Sequence, residues 1–383
     1  MKVLILGGDG YLGWPTAMYL TEHGHTVTVV DNYLRRTLAR QFGIEPLFET
    51  SNLDRRTELW RNSTGHAIPV FIGDLCDWDF VAEVFQTTQP DAIIHYAEQP
   101  SAPFSMVNRQ TASLTLTNNL MTTANTIFAV REFCPTAHIV KLGTMGEYGT
   151  PNIDIEEGWL DVTHKGRSQR FLYPRQGGSL YHTTKIMDTD LLWFYVRAWG
   201  LAVTDLMQGP VYGFNTNETT HDELFPHFYY DEIFGTVINR FLVQAVSGHP
   251  LTIYGKGNQT RGFLNILDTM QCIRLALETP AKAGELRILN QFVEVFSVNQ
   301  LAEKVSTVAR SMGLASEIKS LPNPRIEAEE HYYKPARTGF SELGLVSHQL
   351  TDDVIAGMLE LVLRFRSRIK TEQFVRGVSW RGA

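Results

Sequence analysis

Short apolar runs without polar alternation recur along the first three quarters of the chain, and most are followed by segments in which apolar residues return every three or four positions. Residues 2–6, 26–30, 69–72, 91–97, 138–142, 201–207 and 285–290 are the runs. A strand buried on both faces of a parallel sheet reads this way, because neither face needs a polar residue. The helical patterns span Pro15 to His23, Ser113 to Phe133, Ile186 to Trp199 and Asp268 to Leu277. Strands alternating with helices at this spacing predict an α/β fold with a doubly wound parallel Rossmann sheet, whose functional groups sit at the carboxyl ends of the strands.

Three stretches break the alternation. Residues 33–69 form an insertion with a short helix expected around Asp54 to Trp60. Residues 150–179 read as a loop with a hairpin at Lys165-Gly166. Beyond Gly209-Pro210 the chain turns aromatic and acidic over 213–233, then gives helices near 235–247, 297–312 and 351–366, the last two capped by Ser297 and Thr351. We expect two lobes: 1–208 with about 262–292 as the dinucleotide-binding domain, and about 209–261 with 293–383 as a smaller, discontinuous α/β substrate-binding lobe.

Composition narrows the function classes. The chain has 383 residues, 43% of them hydrophobic and 20% charged, with a net charge of -7. An acidic balance argues against a nucleic-acid partner, which calls for a basic face. Cys76, Cys134 and Cys272 stand far apart, outside any metal-ligand spacing, and read as buried thiols; no metal is expected. The first residues enter a strand at once and no apolar run is long enough to span a bilayer, so we expect a cytoplasmic protein without membrane attachment.

The chemistry is concentrated at a few strand ends. The first strand runs into Gly7-Gly8-Asp9-Gly10-Tyr11-Leu12-Gly13 and then a helix. Glycines at 7, 10 and 13 permit a tight turn and close approach of backbone N–H groups to a pyrophosphate, with Tyr11 and Leu12 between them. The second strand ends in Asp31-Asn32; an acidic side chain there suits an adenosine ribose and disfavours a 2′-phosphate, so NAD is expected over NADP. Arg35 lies near enough to join the cofactor site, and Asp74-Leu75 is placed to meet the adenine. The fifth strand delivers Thr144 and Glu147. Tyr181 and Lys185, four apart on one helix, share a face, so the ammonium can favour the phenolate.

Taken in order, Gly7, Gly10, Gly13, Asp31, Thr144 and Tyr181-x-x-x-Lys185 resemble the extended short-chain dehydrogenase/reductase superfamily. Longer segments, 142–157, 254–262 and 322–333, resemble the UDP-sulfoquinovose synthase family within it. That resemblance implies UDP-glucose and sulfite as substrates, C4 oxidation by bound NAD, loss of water across C5–C6, sulfite addition at C6 and re-reduction at C4. It also implies a homodimer, and sulfite supplied free or by a partner enzyme. Tyr181, Lys185 and Thr144 then act at C4, Glu147 and His182 as acid and base at C5 and C6, Gln208 at the sugar, and Arg261 and Arg325 at the diphosphate, while Asn119 belongs to the cofactor side and holds the nearby loop. Two departures stand out. Met145-Gly146 replaces the Asp-Glu of common 4,6-dehydratases, and Pro100 stands where the synthases carry arginine, so either another cation substitutes or the sulfite step differs; the alternatives are a nucleotide-sugar 4-epimerase or dehydratase without sulfite addition, and a non-catalytic NAD-binding scaffold.

Overall fold

The computed structural model describes residues 1–324, 332–375 and 380. Strands β1 (Lys2–Leu6), β2 (Thr26–Asp31), β3 (Val70–Ile72), β4 (Ala92–His95) and β5 (His138–Thr144) come first in the chain. The hairpin β6 (Trp159–His164) and β7 (Arg167–Leu172) follows. Next are β8 (Ala202–Gln208), β9 (Val211–Tyr212), β10 (Leu251–Tyr254), β11 (Thr260–Asn265), β12 (Leu286–Gln291), β13 (Glu294–Ser297) and β14 (Ile318–Leu321). The central sheet has seven strands in the order β12-β8-β5-β4-β1-β2-β3, all parallel. Its strand order reverses between β1 and β4, the crevice where open α/β sheets bind ligands.

Helices Gly13–Glu22, Arg109–Phe133 and Leu180–Trp199 cover the sheet. The last is started by Ser179, whose hydroxyl accepts from the His182 N–H, and stopped by Gly200 in the left-handed region. This fixes Tyr181 in the first turn, at the edge of β5.

Three differences from the sequence reading have local causes. The insertion carries two helices, Leu34–Gln41 and Leu53–Thr64, the second capped by Asn52. The helix read from Ser113 begins at Arg109, because Asn108 and Thr111 close a capping box. Strand β14, too polar to be read as one, pairs in parallel with β10. Cys134 and Cys272 are buried, but Cys76 is only partly so. Among the described residues no helix is long and apolar enough to cross a membrane.

A separate apolar core forms beyond β8, built on Phe214, Phe228, Phe241, Val305 and Leu359. Leu47 and Phe48 of the insertion are buried in it.

Candidate active site

The glycine loop is packed too closely for any side chain at Gly13. A Cβ there would lie 2.0 Å from the Gly7 carbonyl oxygen, and one on Gly7, at φ +92°, would lie 2.9 Å from the Ala97 nitrogen. The loop thus lies against both its helix and the end of β4. Gly7, Gly10, Tyr11, Leu12, Gly13, Asp31, Asn32, Arg35, Asp74 and Leu75 all line one cavity of about 620 Å³. Thr144, Tyr181, His182, Gln208 and Arg261 line the same cavity. The Asp31 carboxylate accepts from the Asp9 and Tyr33 N–H groups at 2.9 and 2.7 Å. Burial, with the neighbouring Asp9, pushes its carboxyl up to about 6. A glycine-rich loop at a helix N-terminus beside an acceptor at the end of β2 fits a dinucleotide.

Asp9 itself ties the loop to two other parts of the chain. Arg36 grips its carboxylate with two bonds, at 2.7 and 2.6 Å, while donating to the Thr50 and Ser51 carbonyls. Arg56, fully buried, pairs with the same carboxylate, and His227 Nε2 lies 3.0 Å from it. Against the cost of burial, these partners hold the Asp9 carboxyl well below its usual range.

At the other end of the cavity, Thr144 and Gln208 are register partners on β5 and β8. Thr144 Oγ1 accepts from the Gly146 N–H, and Gln208 Nε2 donates to Gln291 Oε1 at 3.1 Å. The Tyr181 phenol is nearly buried, and burial raises its pKa above the ordinary value despite the opposing charge of Lys185. In the free protein burial thus outweighs the Lys185 charge that the four-residue spacing suggested. Spacing did not reveal the carboxylate beside that lysine: Glu98 Oε2 lies 2.5 Å from Lys185 Nζ, which also donates to the Leu142 carbonyl. Lys141 on β5 contacts the other Glu98 oxygen and lies 3.2 Å from Asp188.

Glu147 does not reach the cavity. It is fully buried, its Oε1 accepts from the Thr144 N–H at 3.1 Å, and Arg175 pairs with Oε2 at 3.1 Å. Its carboxylate faces back into the protein, where it fixes Thr144. Burial pushes the carboxyl up to about 7, with Arg175 opposing and Asp205 adding. His182 does face the cavity, its Nδ1 3.1 Å from Ser179 Oγ and its ring 5.3 Å from that of Tyr181. Gly146 makes room for it, since a Cβ there would lie 2.4 Å from His182 Nε2. Asn119 is buried away from the cavity and joins the Gln99 backbone to Thr184, so it braces the site from behind. Arg261 lines the cavity with Nη1 on the Thr260 carbonyl. Arg325 lies outside the described residues.

The profile of the NAD dependent epimerase/dehydratase family matches residues 3–290. A chloroplastic UDP-sulfoquinovose synthase of Spinacia oleracea is 48% identical over 99% of this chain and 79% of its own length. UDP-sulfoquinovose synthase of Sulfolobus acidocaldarius is 43% identical over 97% of this chain and 94% of its own. Among solved structures, a UDP-glucose 4-epimerase of Thermotoga maritima with UDP-glucose superposes with a TM-score of 0.70 at 18% identity, covering 97% of this chain and all of that one. The Thermus thermophilus UDP-glucose 4-epimerase complex with NAD gives 0.68 at 20%, over 96% of this chain and all of the other. The fold is shared with the epimerases, whereas sequence identity separates the synthases from them, and the chain belongs to the NAD dependent epimerase/dehydratase family and, within it, to the UDP-sulfoquinovose synthases.

Proposed function

We propose that the chain converts UDP-glucose and hydrogen sulfite to UDP-sulfoquinovose and water. The observation that carries the reading is the gathering of Thr144, Tyr181 and His182 around one cavity with the glycine loop, beside a Gly146 that leaves space for the imidazole. Bound NAD supplies the hydride acceptor, and later the donor, at sugar C4. Tyr181 takes the proton of the 4-hydroxyl, and Thr144 holds the same oxygen by a hydrogen bond. The 4-ketone acidifies the C5 proton, so that His182 can remove it and protonate the departing 6-hydroxyl. The sulfur lone pair adds to C6 of the enone, a proton returns to C5, and Tyr181 gives its proton back as C4 is reduced. Gln208 and Arg261 bind the sugar and diphosphate.

Pro100 brings no charge to the cavity. Arg35 takes the role of steering sulfite, supported by its place 3.9 Å over the Phe234 ring with Nη2 donating to the Phe234 carbonyl. The neighbouring Ile233 carbonyl accepts from Ser101, next to Pro100, which puts this arginine on the proline side. We also read the chain as the two lobes 1–208 with 262–292 and 209–261 with 293–383, and as a homodimer through helices Arg109–Phe133 and Leu180–Trp199. Sulfite arrives free or from a supplying enzyme.

Incubation of the purified protein with UDP-glucose and sulfite tests the reading. A sugar nucleotide sulfonated at C6 is expected; a 4-epimer or a 6-deoxy-4-keto product alone overturns it.

A further inference from the structure

The buried charges behind Lys185 are more elaborate than a tyrosine–lysine pair requires. Lys141 is the only charged residue in an otherwise apolar stretch of β5, on a strand with neighbours on both sides. A lysine ammonium in such a place costs several kcal/mol unless paired. It is paired twice, with Glu98 and with Asp188 at 3.2 Å. Glu98 in turn reaches Lys185 at 2.5 Å. Tyr181, Lys185 and Asp188 lie at positions i, i+4 and i+7 of one helix and so share a stripe. Two cations and two carboxylates, each with its side chain at most 3% exposed, form a linked quartet against that stripe.

We infer that Glu98 and Lys141 are positioning residues that set how much of the Lys185 charge reaches Tyr181. Glu98 alone would cancel that charge, because a carboxylate in contact with an ammonium leaves little field at the phenol. Lys141 and Asp188 restore the balance: Lys141 draws on the far oxygen of Glu98, and Asp188 compensates Lys141. The inference rests on the reading of Tyr181 as the proton carrier at C4. Burial lowers the Lys141 pKa, and Asp188 opposes that fall. The other groups around the quartet are fixed by contacts. His95, 3.9 Å from Glu98, is kept neutral, its pKa pushed well below the usual by burial and both lysines. Asp205 on β8 accepts from Thr189 at 2.6 Å, and Glu147 is paired with Arg175.

The two partners carry opposite signs, so their removal must move Tyr181 in opposite directions. Lys141→Met takes away a cation, raises the phenol pKa, and shifts the acid limb of the kcat profile upward by about one pH unit, the effect of one buried charge at second-neighbour distance. Glu98→Gln takes away an anion and shifts the limb downward by about the same amount. The double variant, neutral at both positions, returns the limb to within about 0.3 unit of the wild type, and Lys141→Arg leaves it in place. The same shifts are read without turnover by ultraviolet difference titration of the tyrosinate band, identified by its loss in Tyr181→Phe. A packing role alone would lower kcat at every pH with the limb unmoved, and that result overturns the inference. Shifts of both single variants in the same direction overturn it as well. Should Lys141→Met not fold, Glu98→Gln and the neutral double variant decide the question. Full turnover by Tyr181→Phe would instead sink the Tyr181 reading, which separates the two failures.

Discussion

Replacing Asp9 by alanine removes one carboxylate from under two guanidinium groups and an imidazole. Arg56 has no exposed side-chain surface and Arg36 only 13%, so neither cation can recover hydration by turning outward. Breaking a buried pair from one side costs about 3–5 kcal/mol, because the partner is left charged and dry. Two partners are stranded here, and His227 loses its contact, so the upper half of that range is expected. That is a large part of the roughly 5–15 kcal/mol that holds a typical domain together. Urea unfolding followed by tryptophan fluorescence measures it. The double cycle of Asp9→Leu and Arg56→Met isolates the pair, and we expect a coupling of about 2–3 kcal/mol. The wild-type advantage has a defined pH dependence. The Asp9 carboxyl is depressed in the folded state, so its contribution is complete above the unfolded value near 4 and fades as pH falls below it. Asp9 also lies between Gly8 and Gly10, so NAD binding to Asp9→Ala should weaken about tenfold, about 1.4 kcal/mol, in a titration of the folded variant. A coupling below about 0.5 kcal/mol, with unchanged unfolding, would refute the clamp.

Two further outcomes follow from close packing and exposure. Gly146→Ala drives a Cβ into His182, so it should leave NAD binding intact and reduce sulfonated product at least about tenfold while a 4-keto sugar nucleotide accumulates, as read by mass spectrometry. Phe128 and Phe194 stand 41% and 53% exposed on the helices assigned to the dimer contact, so Phe194→Glu should shift a homodimer to monomer in sedimentation velocity, and a monomeric wild type would refute that contact.

The sheet could be read from the sequence because parallel strands buried on both faces carry unbroken apolar runs, and the glycine loop because its glycines follow β1 directly at a spacing that stands within one short segment. The quartet could not be read by spacing. Glu98, Lys141, Lys185 and Asp188 come from three separate segments, and only the register of β4 with β5 brings the first two together. One signal was present: a lysine inside His138-Ile139-Val140-Lys141-Leu142 needs a buried counter-charge. The contacts of Glu147 were hidden for a related reason. Thr144-x-x-Glu147 is a capping box, in which the carboxylate turns back to the Thr144 N–H. The insertion was silent because its function lies in Arg36 and Arg56, whose partner is 27 and 47 residues away.

A reaction that oxidises C4 and later reduces it asks one phenol to accept a proton and then to return it. A tyrosine fixed as phenolate serves the first half and hinders the second, since the best catalytic group has a pKa close to the working pH in each direction. In the free protein burial keeps Tyr181 above its ordinary value, and the Glu98–Lys141 pair limits how far Lys185 can offset this. With NAD bound, the nicotinamide would be positively charged when Tyr181 must act as base, and neutral when it must act as acid. A neutral quartet leaves that change of charge as the dominant variable at the phenol. A lone Lys185 would have masked it by favouring phenolate throughout. The elaborate pairing behind a simple tyrosine–lysine motif thus suits an enzyme whose redox steps must cancel.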